Sequence, residues 1–356
     1  MKKHRSFPVI VDTTLRDGIQ MPGIDLSFSQ KKSILGSLFL LGVTEAEIGC
    51  PARGTGTVFE MQRLCTLFPD INCSAWCRAR TDDIDSASEC GVSTIHISFP
   101  VSHRHMKTVK WTQNETISAL GKLVSYARTK APFVTVGAQD ATRAEPGFLK
   151  RFVSAAVSAG ANRVRIADTV GIATPIKISE LIGNIRQACP DASLEFHGHN
   201  DFGLATAVTL AAIDAGADAV SVTVQGVGER AGNAALEEVI TAGEMLYGYK
   251  SPYTIRHLSR LCGTVSEYFN LPVQPQKAIT GKNAFRHESG IHCHGMIRDS
   301  LTYQPFNAEV IGSTSRITLG PQSGSSTFEA ILKKKGITIS RSAVREIWEE
   351  IRSSSI

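Results

Sequence analysis

Up to about residue 247, short apolar runs rich in Val and Ile alternate with longer amphipathic stretches. The runs are Val9–Thr13, Glu45–Ile48, Asn72–Trp76, Thr94–Phe99, Phe133–Val136, Arg163–Ala167, Leu194–His197 and Ala219–Val224. Such segments suit strands of a parallel sheet that is covered on both faces. Helical patterns lie between them, for example Ser29–Leu41, Glu115–Thr129, Pro175–Ala188 and Leu204–Ala215. Gly42, Gly91, Gly160 and Gly216 each stand between a helical stretch and the next apolar run. Glycine there permits the left-handed cap that ends a helix. Eight strand–helix repeats with short connections predict a closed (β/α)8 TIM barrel. An open doubly wound sheet is the competing fold; the repeat count and the lack of a GxGxxG run after the first strand weigh against it.

After residue 247 the repeat stops. A helix over Ile255–Phe269 leads into the proline-containing Leu271–Pro275, then a polar, His-rich segment Thr280–Gly295. Two short helices are expected near Ser326–Lys335 and Ser342–Arg352. The expected division is a catalytic barrel over 1–250, a helical linker over 251–279, and a C-terminal lid with a small, mostly helical tail over 280–356.

With 356 residues, 42% hydrophobic and 20% charged, the chain has the balance of a globular protein rather than a disordered one. Its 38 Lys+Arg and 33 Asp+Glu are interspersed, and the net charge of +5 gives no reason to expect nucleic acid as a partner, although it suits an anionic substrate. No apolar stretch reaches bilayer length, and no apolar leader region follows the basic Met1–Ser6, so membrane insertion and export are not expected. None of the eight cysteines forms a CxxC pair. Reduced thiols in a cytoplasmic protein are the expectation.

Reactive groups of such barrels gather at the C-terminal ends of the strands. The first run leads into Asp12-Thr13-Thr14-Leu15-Arg16-Asp17-Gly18, and the second ends near Glu47. The sixth leads into Asp168-Thr169, the seventh into His197-Gly198-His199-Asn200-Asp201, and the eighth into Gly226–Asn233. Alternate residues of a strand share a face, so His197 and His199 point the same way. Two imidazoles with a carboxylate such as Asp17 make a divalent-metal site with positions open to substrate oxygens. Zinc, manganese, magnesium and iron all remain compatible with such ligands; the absence of thiolates argues against a structural zinc. Arg16 stands beside the proposed ligand, either to orient an anionic substrate or as a structural ion pair. Glu195 shares the strand face of His197, either to support the metal or relay a proton, or as a buried carboxylate bound only to structural donors.

The Asp12–Gly18 run, the HGHND run and Gly226–Asn233 together resemble the metallolyase barrels that condense acetyl-CoA with 2-oxo acids in Claisen fashion, a family that includes isopropylmalate, citramalate and homocitrate synthases. The likeness continues through His287-Glu288-Ser289-Gly290-Ile291-His292, Arg298-Asp299 and Thr302-Tyr303, which look most like homocitrate synthases of the nitrogen-fixation type. The resemblance implies Asp17, His197 and His199 as ligands of a divalent ion (Mg, Mn or Zn), with Asn233 as a further ligand or close neighbour. It implies Arg16, Gln20 and Thr169 around the oxo acid, and Arg16, Glu195, His292 and Tyr303 in catalysis, the last three in proton transfer. Acetyl-CoA is the implied co-substrate. The segment with His292 and Tyr303 reaches over a neighbouring subunit's barrel in the family, which implies a homodimer.

Two positions depart from the family pattern: Ile19 and Gln139 stand where carboxylates are usual. Losing negative charge raises the local positive potential, which would suit a more anionic acceptor, for instance one bearing a phosphonate. Isopropylmalate-type synthases are expected to carry a sizeable extra domain after the linker, and the short stretch beyond Tyr303 therefore favours the homocitrate type. The expected reaction is the conversion of 2-oxoglutarate and acetyl-CoA to homocitrate. The alternatives are pyruvate, 2-oxoisovalerate or a phosphonate analogue as acceptor, or a metal-dependent aldolase or lyase that uses no CoA.

Overall fold

The computed structural model describes residues 6–354. Eight parallel strands, β1 Val9–Asp12, β2 Glu45–Gly49, β3 Asn72–Arg78, β4 Thr94–Pro100, β5 Phe133–Gln139, β6 Arg163–Asp168, β7 Leu194–Gly198 and β8 Ala219–Val222, pair in chain order. The barrel closes where β1 returns to β8, with Val9 opposite Ala219 and Asp12 opposite Val222. Among the described residues, nine helices cover it: α1 Phe28–Leu41, α2 Thr55–Leu67, α3 Thr81–Glu89, α4 His103–Val109, α5 Gln113–Ala127, α6 Pro146–Ser158, α7 Pro175–Ala188, α8 Ala205–Asp214 and α9 Leu236–Met245. The (β/α)8 barrel expected from the repeat is therefore the fold.

Local signals explain the helix ends. Ser27 with Gln30, and Thr112 with Glu115, form reciprocal caps at the starts of α1 and α5. Proline opens α6 and α7, where no intrahelical N–H bond is lost. Gly42, Gly91, Gly160 and Gly216 all have φ between 69° and 107°, the backbone form expected of them.

The apolar core lies between the barrel and its helices. Ile95, Ile97 and Phe99 of β4 are fully buried, and Phe99 meets Phe152 of α6 edge-on at 6.0 Å. The barrel interior is different. Arg163 of β6 reaches across to Glu45 of β2 at 2.8 Å, and Arg165 reaches Glu47 at 3.1 Å and Glu195 at 2.6 Å. Charged pairs thus occupy space that branched aliphatic residues fill in most such barrels. A reading of the strands as continuously apolar overlooks this polar inner face.

The chain forms two compact units, one comprising residues 6–254 with 264–271, the other 255–263 with 272–354. The second unit holds α11 Gly290–Arg298, α12 Ser325–Lys334 and α13 Arg341–Ser354, while α10 Leu258–Tyr268 is divided between the two. It also has a two-stranded parallel sheet, β9 Arg286–His287 with β10 Arg316–Ile317, which the helical reading of the tail did not include. Two-residue strands are too short to show a periodicity. Phe285 packs on Phe306 at 5.4 Å and Phe328 on Trp348 at 5.6 Å. Among the described residues, no helix is long and apolar enough to cross a membrane.

Candidate metal centre

The loop after β1 is wound tightly around one carbonyl. Thr13 O accepts from the backbone N–H of Arg16, Asp17 and Gly18 at 2.8–3.1 Å. Asp12 accepts from Thr14 N and Oγ1, both at 2.9 Å, and Thr14 Oγ1 accepts from Val224 N after β8. Burial raises the Asp12 carboxyl to about 7, against the lowering effect of the Thr14 bonds. This winding turns Asp17 toward the barrel mouth.

His197 at the end of β7 and His199 just beyond it hold their rings 4.7 Å apart at right angles. Asp17 Oδ2 lies 3.1 Å from His197 Nε2 and 4.0 Å from His199 Nε2. His199 Nδ1 lies 3.1 Å from the carbonyl oxygen of Asp168. A proton on Nδ1 satisfies that bond and leaves the Nε2 lone pair facing Asp17. Burial, with neighbouring His197, lowers the His199 imidazole to about 4, so it is neutral at physiological pH. Burial opposes ionisation of Asp17, but Arg16 and the two imidazoles outweigh it and hold the carboxyl well below its ordinary range.

Ligand atoms of Asp17, His197 and His199 lie within 4.8 Å of one another. Among the described residues, buried His197 Nδ1 and Asn233 Oδ1 lack a hydrogen-bond partner, and Asp17 Oδ2 is met by the ion-pair contacts of Arg16 and His197. A carboxylate and two imidazoles converging in this way, with Asn233 bridged to His199 through the backbone, fit a bound cation. Asn233 is set by the loop after β8: its N–H donates to Gly226 O at 2.9 Å and its Nδ2 to Val227 O at 3.0 Å, which frees Oδ1. Gly232 makes this possible. Its φ is +83°, and a Cβ there would overlap the Gly226 carbonyl oxygen.

A cavity of about 230 Å³ opens beside these groups. Arg16, Gln20 and Thr169 line it with Asp17, His197 and His199. Arg16 is paired with Glu47 through Nε and with Asp17 at 3.2 Å, so the structural ion pair and a place in the cavity wall are both realised. Thr169 Oγ1 accepts from Asp140 N at 2.8 Å. Arg230 clamps the rim, bonding Asp201 at 2.8 Å and the Thr169 carbonyl at 2.8 Å.

Glu195 is not in the cavity wall. It accepts from Arg165 Nε at 2.6 Å and from Ser221 Oγ. Burial pushes its carboxyl up, yet Arg165 and Arg163 prevail and hold it at about 2. This geometry is that of a carboxylate bound to structural donors. His292 and Tyr303 belong to the second unit, where their rings stack at 4.2 Å. Of the two departures from the family pattern, Gln139 lines the cavity and Ile19 does not. Trp76, His96 and Arg165 also line it and were not singled out from the sequence. Two arginines inside the RVRIAD strand were the available signal.

The HMGL-like family profile matches residues 8–265, and a profile described as homocitrate synthase post-HMGL domain-like matches residues 279–355. The chain is 41% identical over 348 residues to the 2-isopropylmalate synthase of Sulfurisphaera tokodaii, covering 96% of this chain and 89% of that protein. It is 38% identical over 348 residues to the homocitrate synthase AksA of Methanopyrus kandleri, covering 97% and 87%. The barrel is similar to a crystal structure of hydroxymethylglutaryl-CoA lyase from Pseudomonas aeruginosa, with TM-score 0.66, 18% identity, and coverage of 74% and 93%. The length argument for the homocitrate type is overturned, because a protein named 2-isopropylmalate synthase is matched over 89% of its length and so has no large extra domain. With profile matches along both parts and relatives aligned nearly end to end, the chain belongs to the HMGL-like family, together with these 2-isopropylmalate and homocitrate synthases.

Proposed function

We propose that this protein is an acyltransferase that condenses acetyl-CoA with a 2-oxo acid, with release of CoA, at a divalent ion held by Asp17, His197 and His199. The observation that carries the reading is the convergence of the Asp17 carboxylate with the His197 and His199 imidazoles at the mouth of the barrel. Bound there, a divalent ion supplies Lewis-acid polarisation of a carbonyl oxygen. In this reading Arg16 binds the carboxylate and ketone end of the acceptor and stabilises the alkoxide as charge develops. Thr169 and Gln20 fix the acceptor's orientation, and Asn233 Oδ1 completes the ion's surroundings. His292 and Tyr303 move the protons that create the acetyl-CoA enolate and quench the product. They do so in the cavity of a partner subunit, which makes the working form a homodimer. Glu195 acts through Arg165 as a positioning residue. Eight cysteines with no disulfide among the described residues fit a reducing, cytoplasmic setting.

Within the class, the acceptor we favour is 2-oxoglutarate, with homocitrate as product; 2-oxoisovalerate is the second reading, supported by the higher identity to a 2-isopropylmalate synthase. Purified protein with a divalent ion, acetyl-CoA and a panel of oxo acids tests this by thiol release. Release with 2-oxoglutarate is expected. Cleavage of a hydroxy acid without CoA, and no thiol release with any acid, would replace condensation by an aldolase reaction.

A further inference from the structure

We infer that Arg165 selects the acceptor by gripping a second acidic group at its far end, so that the cavity takes 2-oxo acids with an anionic terminus and rejects those ending in an alkyl group. This rests on the condensation reading and names the acceptor class for the same cavity. Arg165 is buried, and its Nε and Nη2 are spent on Glu195 at 2.6 Å and Glu47 at 3.1 Å. Its Nη1 takes part in neither of these contacts, and the side chain lines the cavity. A buried guanidinium with a prong outside its ion pairs favours an acceptor in the pocket. Glu195 and Glu47 hold the planar fork still, so little ordering cost remains when an oxyanion arrives.

The neighbours agree. Gly137 pairs with Arg165 in register, and a Cβ at Gly137 would come within 2.7 Å of His96 Nε2. Glycine therefore leaves that imidazole nitrogen facing the space beside Arg165, while His96 Nδ1 is held by Thr135 Oγ1 at 2.9 Å. Ser98, Gln139 and Trp76 also line the cavity, and among the described lining residues Ala167 is the one aliphatic side chain. A branched alkyl group would face a guanidinium and an imidazole with their hydrogen bonds unmade. Position also fits. Ala167 pairs with His197, and Arg165 lies one inward step deeper on β6, about 6–7 Å along the strand. One acid group beside the ion and another at that depth describe a short 2-oxo diacid.

The test compares wild type, Arg165→Lys and Arg165→Met with Mg²⁺ and acetyl-CoA. The acceptors are 2-oxoglutarate, oxaloacetate and 3-phosphonopyruvate against pyruvate and 2-oxoisovalerate. Thiol release gives kcat/KM, and calorimetry on the Mg²⁺-loaded protein without acetyl-CoA gives binding apart from turnover. Wild type should favour its best diacid over 2-oxoisovalerate by at least about 100-fold, since a site built for a hydrogen-bonding group strongly rejects the analogue lacking it. The identity of that best acid separates carboxylate from phosphonate at two chain lengths. Both variants should lose diacid binding, and selectivity for diacids over pyruvate, by about 100-fold. Lysine preserves the charge opposite Glu195 and Glu47, so this variant decides the matter if the methionine form does not fold. A wild type that prefers 2-oxoisovalerate, or a lysine variant with unchanged selectivity, overturns the inference and leaves condensation standing. No turnover with any acid, beside diacid binding that the lysine variant loses, sinks condensation and leaves the inference.

Discussion

Glu195→Gln replaces a carboxylate in the barrel interior by an amide of nearly the same shape. Glu195 accepts from Arg165 and Ser221, and Arg163 Nη1 lies 3.6 Å from its other oxygen. Burial disfavours its charge, but the two guanidinium groups hold its carboxyl at about 2 against an ordinary 4.5. That gap corresponds to about 3 kcal/mol of folding free energy. Because the folded value is depressed, the stabilisation is complete above 4.5 and fades as pH falls toward about 2. Urea unfolding followed by circular dichroism should therefore find the variant about 3 kcal/mol less stable at neutral pH, with the difference shrinking below about pH 4. Equal stability at neutral pH, or a deficit that ignores pH, would refute the reasoning. Activity separates the two roles considered for this residue. A partner of Arg165 predicts weaker acceptor binding with an unchanged pH profile, whereas a proton-transfer base predicts loss of one limb of that profile.

His199→Ala removes one ligand and should lower Mn²⁺ affinity by at least about 100-fold in calorimetry, with apo melting nearly unchanged. Gly232→Ala forces a Cβ onto the Gly226 carbonyl at φ +83°, so a melting loss of several degrees and weaker metal binding should appear together. Gln139→Glu adds a negative charge to the cavity wall and should cut kcat/KM for diacids at least about tenfold, while Ile19→Glu, outside the wall, should leave acceptor preference alone. Mixing His292→Ala with His199→Ala protein should restore about one quarter of wild-type activity through hybrid dimers, whose two faults can fall in the same site. No recovery after exchange of subunits would count against a shared site.

The barrel was legible because its outer face obeys ordinary rules. Runs such as Ile95–Phe99 and the glycines at positions 42, 91, 160 and 216 mark each strand and helix end. The candidate metal centre was legible because Asp17, His197 and His199 sit at strand ends that the fold brings to one rim. The interior was not. Glu47 and Glu195 were each considered alone, and Glu45, Arg163 and Arg165 not at all, because their meaning depends on cross-barrel distances that strand order alone does not give. Arg165 was missed for that reason, and Glu195 was weighed as a proton relay because it shares a strand face with His197. Tail length was a poor guide to acceptor, since a 2-isopropylmalate synthase aligns with this chain over 89% of its length.

Crystals soaked in Mn²⁺ or Zn²⁺ and measured at the ion's absorption edge test the central claim most directly. We expect one strong anomalous peak between Asp17, His197 and His199, with protein ligands at about 2.0–2.2 Å for zinc. An ion bound elsewhere, or these three side chains turned away from an empty centre, would contradict the account.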